Sequence, residues 1–141
     1  MPVYESGLNI ANFDVAYASI TSPVSITATS SATGNTCIAF TASIANEGDY
    51  YVMVYTPALT KGTTNIDVEL YDGATFLQSL SGHLTASTVH PGGFLTAKVH
   101  LSQASHSLKV TAFVDGGTGT FGAGAGTTGA DPPAYARCFA A

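Results

Sequence analysis

Apolar residues in this chain recur at every second position, in short runs cut by turn residues, and nowhere at the three-and-four spacing of a helix. The clearest run is Asn65-Ile-Asp-Val-Glu-Leu-Tyr71, with Ile66, Val68 and Leu70 on one side and Asn65, Asp67 and Glu69 on the other. Successive side chains of a strand point to opposite faces, so the run predicts an antiparallel sheet with one packed face and one wet face. Val24 to Thr29 alternates too, as does Cys37 to Ile44, with Ile38, Phe40, Ala42 and Ile44 pointing one way. A turn at Asn46-Glu-Gly-Asp49 leads into Tyr50-Tyr-Val-Met-Val-Tyr55, which is aromatic or apolar on both faces. Such a run suits a central strand or one at a subunit contact, and Pro57 is expected to end it.

Asp72-Gly73 is a tight-turn signal leading into Thr75 to Leu80. A short strand is expected near Leu84 to Val89, followed by Phe94 to Leu101 with Leu95, Ala97, Val99 and Leu101 inward. Ser107 to Val114 alternates, and Pro132-Pro133 fixes the approach to a last strand around Tyr135 to Ala140. This predicts an all-β fold, an antiparallel β-sandwich of eight to nine strands over residues 21–141. Residues 1–20 are less regular and are expected as an N-terminal arm.

Composition narrows the function. A chain of 141 residues suits one domain, large enough for a core without a metal or disulfide. Only 9% of residues are charged, well under the roughly 25% of ordinary soluble domains, and a weakly charged surface favours assembly. The four basic residues, Lys61, Lys98, Lys109 and Arg137, are widely spaced, which argues against nucleic acid and against an anionic membrane surface. No apolar stretch nears the roughly 20 residues of a membrane span. The first residues lack the pattern of a signal peptide, so a cytosolic product is expected. Cys37 and Cys138 fit neither a zinc nor a redox spacing and are expected as buried free thiols.

No catalytic, cofactor-binding or metal-binding set emerges. The glycine-rich run from Gly116 to Ala130 lacks the Gly-Lys-Ser/Thr end and following helix of a phosphate loop, leaving a flexible or tightly packed loop. His83, His90, His100 and His106 match no ligand spacing and are expected in surface or turn roles. Asp67 and Glu69 share a strand face but read as ordinary solvated carboxylates rather than a glycosidase pair. Glu47 and Asp49 flank Gly48 without a full calcium-loop pattern. No G-x-S-x-G elbow exists, and an enzyme is not expected.

Four pieces of the chain, Phe40 through Gly48-Asp-Tyr-Tyr51, Leu70-Tyr-Asp-Gly73, Ser107-Leu-Lys-Val110, and the glycine-rich segment with Tyr135-Ala-Arg-Cys-Phe139, resemble the trimeric jelly-roll domains of the TNF/C1q type. Domains of that kind occur in bacteriophage capsid decoration (cement) proteins. The resemblance implies a homotrimer with aromatic residues near its axis, here Tyr50, Tyr51, Tyr55, Tyr135 and Phe139 as candidate interface. It implies a structural virion protein on the capsid surface, made in the host cytoplasm, with the major capsid protein as partner; no cofactor is expected. The alternative is a fibre or head-surface module recognising carbohydrate or a host receptor, in which aromatic side chains would cluster in a groove instead of lying between subunits. The absence of Trp, the best stacking ring, tilts the sequence reading to the structural role.

Overall fold

Period-two patterning becomes two antiparallel sheets in the computed structural model, which describes residues 14–80 and 89–141, with the backbone only for 89–92. The strands are β1 (Asp14–Ile20), β2 (Val24–Ile26), β3 (Asn35–Ser43), β4 (Gly48–Thr60), β5 (Ile66–Asp72), β6 (Thr75–Ser79), β7 (Val89–Leu101), β8 (Ser105–Val114), β9 (Gly119–Phe121) and β10 (Ala134–Ala140), with a 3-10 turn at Ser31–Thr33. One sheet runs β3-β8-β5-β6. The other, of six strands, runs β1-β10-β4, with β7 along the opposite side of β4 and β9-β2 beyond the end of β10. The expected all-β antiparallel sandwich is therefore present, in jelly-roll-like form.

The inner faces match the alternation. Val52 and Val54 of β4, Ile66, Val68 and Leu70 of β5, and Leu108, Val110 and Val114 of β8 are fully buried between the sheets. Alanine fills several further inward positions, at Ala42, Ala97, Ala112, Ala134 and Ala136. Cys37 and Cys138 are buried free thiols on opposite sheets, as expected. Burial pushes Cys37 up to about 12 and, with help from the Asp14 charge, Cys138 up to about 11, so neither offers a thiolate nucleophile near neutral pH.

Four expectations need correction. Asn65, Asp67 and Glu69 are not on a wet face: they are 6%, 9% and 8% exposed. Strand β5 lies inside its sheet, and the connection from β2 to β3 passes over it, so that Ser31 Oγ donates to Glu69 Oε2 at 2.5 Å. Pro57 does not end its strand. Beside it, β4 exchanges one partner for another, β10 along Tyr50 to Tyr55 and β9 at Leu59 and Thr60, so a missing N–H falls where no ladder bond is due. Residues 14–20 of the expected arm form edge strand β1, paired with β10. The glycine-rich segment is not all loop, since it contains strand β9; of the two alternatives expected for it, tight packing holds at Gly122, where a Cβ would stand 2.7 Å from the Ala58 carbonyl oxygen, so glycine permits a close backbone approach. Residues 1–13 of the arm, and most of the strand expected near Leu84, lie outside the described residues.

Asp115 ties the turn before β5 to the end of β8. Its carboxylate accepts from the Thr64 backbone N–H at 2.9 Å, from the Asn65 N–H at 3.1 Å and from the Thr64 hydroxyl. These bonds, the Thr64 hydroxyl first, hold its pKa at about 2, below the usual 3.8. A depressed carboxylate contributes stability that is present above pH 3.8 and is lost as pH falls through about 2. Asp115→Ala is expected to lower the melting temperature at pH 6 and to flatten its acid fall between pH 4 and pH 2. Equal slopes for variant and parent in thermal melts would refute this.

Candidate functional site

The outer face of the six-stranded sheet carries most of the uncovered aromatic surface. Strict alternation along β4 sends Tyr51, Met53 and Tyr55 outward, and along β10 it does the same for Tyr135, Arg137 and Phe139. Register then lines them up. Tyr135 lies opposite Tyr55, which lies opposite Phe94 of β7, while Tyr17 of β1 sits diagonally beside Tyr135. Four adjacent strands thus each supply one ring to a single cluster.

Ring centroids are 5.8 Å apart for Tyr17 and Tyr135, 5.4 Å for Tyr135 and Tyr55, and 5.4 Å for Tyr55 and Phe94. The first two pairs are near-parallel, at 28° and 27°, and the third is tilted at 50°. Tyr55 and Tyr135 are half-buried at the middle of the row, whereas Tyr17 and Phe94 at its ends are 58% and 59% exposed. With Pro132 and Pro133 they line a groove of about 420 Å³. The two prolines are held beside Tyr135 by the loop that follows β9, where Gly124 N–H donates to the Pro132 carbonyl and Gly126 N–H to the Asp131 carbonyl. Among the described residues no charged side chain lines this groove, and the polar atoms they bring to it are three tyrosine hydroxyls and the backbone.

Next to the groove, Arg137 donates through Nε to Asp14 Oδ1 at 2.9 Å and lies 5.3 Å from the centre of the Phe139 ring. Phe139 meets Tyr51 at 5.8 Å. Arg137 therefore fastens β1, and Tyr17 with it, to β10. Further along, Lys98, His100, Glu47 and Asp49 form an exposed charged cluster, with His100 bonded to both carboxylates at 3.0 and 3.1 Å. Those bonds, Glu47 first, raise the His100 pKa.

Of the five aromatic residues expected at an interface, Tyr51, Tyr55, Tyr135 and Phe139 share this outer face. Tyr50 does not, and that expectation is corrected: it is 6% exposed, faces the core, and donates its hydroxyl to the Asn46 carbonyl at 2.8 Å. Alternation along β4 forces this, since neighbouring residues cannot share a face. Tyr17 and Phe94, the two most exposed rings of the groove, escaped the sequence reading. Inward Leu95 already implied an outward Phe94, whereas Tyr17 lay in the stretch assigned to the arm.

No family model matches the sequence, and no curated protein matches it. Solved structures with a similar arrangement include carbohydrate-binding module CBM6cm-2 of Cellvibrio mixtus lichenase 5A in complex with cellotriose. It is 14% identical, with TM-score 0.40, over 86% of this chain and 74% of that one. The C-terminal domain of the sugar-binding protein EclA is 13% identical, with TM-score 0.45, over 74% and 76%. A family 35 carbohydrate-binding module from Clostridium thermocellum is 15% identical, with TM-score 0.41, over 89% and 92%. At such identities and scores, the function has to be argued from this chain's own side chains.

Among the described residues no cluster of three or more His, Cys, Asp or Glu is arranged to hold a metal ion. His106 is engaged within the fold, Nδ1 donating to Asp72 Oδ2 at 2.6 Å and Nε2 to the Ser102 carbonyl at 2.9 Å, which raises its pKa, the Asp72 bond first. His83 lies outside the described residues, and of His90 only the backbone pairing with Leu59 is described. The two sequence carboxylate pairs are also spoken for: Glu47 and Asp49 hold His100, and Glu69 accepts from Ser31.

Proposed function

We propose that the protein is a carbohydrate-binding module whose site is the groove lined by Tyr17, Tyr55, Phe94 and Tyr135. One observation carries this reading: four rings from four adjacent strands converge on a groove to which no described residue brings a charged side chain. Concave binding sites use rings for contact and a few polar groups for orientation. A pyranose has one face of C–H groups and a rim of hydroxyls. Its apolar face covers a ring, burying roughly 100 Å², about 2.5 kcal/mol at the usual coefficient, while tyrosine hydroxyls exchange hydrogen bonds with the rim. Among the described residues the lining consists of Tyr, Phe and Pro, which suits a neutral glycan better than a phosphorylated or acidic one.

The expectation of a TNF/C1q-like homotrimer, set on a capsid surface through a major capsid protein, uses the same face. Covering exposed rings with two further copies would also remove them from water, so solution behaviour must separate the two readings. Native electrophoresis through gels containing soluble neutral polysaccharides (a β-glucan, a xylan, a mannan), with light scattering behind a sizing column, does so. Retardation by a neutral glycan together with a mass near 14.3 kDa is expected. A mass three times larger and no retardation by any of them would reject the groove as a glycan site and favour the trimer.

A further inference from the structure

A second cleft, of about 480 Å³, opens on the opposite side of the molecule, over the outer face of the β3-β8-β5-β6 sheet. Register brings its residues together. Lys109 of β8 lies opposite Tyr71 of β5, Tyr71 lies opposite Phe76 of β6, and Thr111 follows two residues after Lys109 on the same face. Ser31, Ala32 and Gly34 form one wall, Gly73 and Ala74 the other.

Its chemistry differs from that of the aromatic groove. Phe76 is 50% exposed and stands edge-on to Tyr71 at 76°, leaving ring surface open. Tyr71 OH and Ser31 Oγ lie 2.5 Å apart, and Ser31 in turn donates to Glu69, so both hydroxyls are fixed before any ligand arrives. Lys109 is half-buried and makes no ion pair with any described residue. Glu69 is not in the lining; its carboxylate is covered and accepts the Ser31 proton.

Thr111 supplies the second, independent observation. It is 5% exposed, lines the cleft, and its hydroxyl has no hydrogen-bond partner. A buried polar group left unpaired is costly and rare in folded proteins. What lies over it is Gly34, whose absent Cβ would stand 3.3 Å from Thr111 Oγ1. The Gly34 backbone, at φ −48° and ψ 140°, is one any residue adopts, so glycine is not required there by conformation. Its effect is to leave the hydroxyl thinly covered, under a turn with no buried residue of its own.

From an unpaired ammonium, an orphaned hydroxyl, two ordered hydroxyls and an open ring, we infer that this cleft is a second binding site, for a sugar acid. Its carboxylate pairs with Lys109, its ring lies on Phe76, and a hydroxyl reaches Thr111 once the Ser31–Gly34 turn moves slightly outward. This site is independent of the aromatic groove and does not need the groove to bind anything.

The test is titration of the intact protein with sodium glucuronate, followed by amide NMR, with glucose as the neutral control. Expected are saturable shifts at residues 31–34, 71–76 and 109–111, with glucose at least fivefold weaker. Lys109→Met should weaken glucuronate at least fivefold. Thr111→Val, which removes an unpaired hydroxyl at nearly constant volume, should weaken it while raising or preserving the melting temperature. A Tyr135→Ala control should bind glucuronate as the parent does, so failure of the groove and failure of the cleft give different patterns. Absence of saturable shifts, equal affinity for glucose, or unchanged affinity in Lys109→Met would each overturn the proposal.

Discussion

Tyr135→Ala is expected to weaken binding of a neutral glycan roughly thirtyfold. Tyr135 is the hub of the groove, touching Tyr17, Tyr55 and Phe94 at centroid distances of 5.8, 5.4 and 6.5 Å. Its loss removes one stacking surface and lets its neighbours splay, about 2 kcal/mol of apolar contact, and each 1.4 kcal/mol is about tenfold in affinity. Tyr135→Phe keeps the ring and loses a hydroxyl worth about 1 kcal/mol, so a drop of roughly fivefold is expected. Tyr51→Ala removes a ring from the same face but outside the groove lining, and should change affinity less than twofold. The inward residues of β10, Ala134, Ala136 and Cys138, are untouched, so circular dichroism and melting should report a folded protein. Isothermal titration with the glycan that retards the parent gives the three affinities. If Tyr135→Ala binds as the parent does while Tyr51→Ala does not, the site lies further along the sheet, over Phe139 and Arg137.

Much of this geometry was legible in alternation alone, and the exceptions have physical causes. Ile66, Val68 and Leu70 are core residues because period two left them no other face, whereas Tyr50 to Tyr55 is aromatic or apolar on both faces, so the pattern alone did not say that Val52 and Val54 point inward. The same rule separates Tyr50 from Tyr51, although reading the tyrosines as one set obscured it. Strand β1 was harder to see because its contrast is inverted. Ala16, Ala18 and Ile20 pack inward while Val15 and Tyr17 face out, so the exposed side is as apolar as the packed side. Period two can tell which residues share a face but not whether a distant segment covers that face. Glu69 is buried by Ser31, 38 residues away, and nothing local to β5 announces it. For the same reason Thr111 reads as an ordinary surface threonine until the turn above it is placed. The groove itself depends on the order β1-β10-β4-β7, which joins residues 17, 135, 55 and 94, and no local pattern encodes that order.

Phe121→Ala is expected to give a large loss of stability, about 3–5 kcal/mol. Phe121 is among the largest fully buried side chains and lies opposite both Val24 of β2 and Leu59 of β4. It therefore joins β2, β9 and β4 at the end of the sheet that β10 does not reach. Collapse around the cavity is restricted, because the next residue, Gly122, is pinned by its N–H to the Ala58 carbonyl and by the Thr56 hydroxyl donating to its own carbonyl at 2.8 Å. A site that cannot relax retains most of its cavity, which puts the cost toward the upper part of that range. For a chain of this length the loss corresponds to a melting temperature lower by roughly 10–15 °C. Phe121→Leu keeps most of the volume and should cost under about 1.5 kcal/mol. Glycan affinity of Phe121→Ala, measured well below its melting point, should stay within about twofold of the parent, since no groove residue is opposite Phe121 in either pairing. Urea unfolding followed by circular dichroism supplies the free energies. A cost below 1 kcal/mol would mean that β9 and its glycines are laid over the sandwich and are not part of its core.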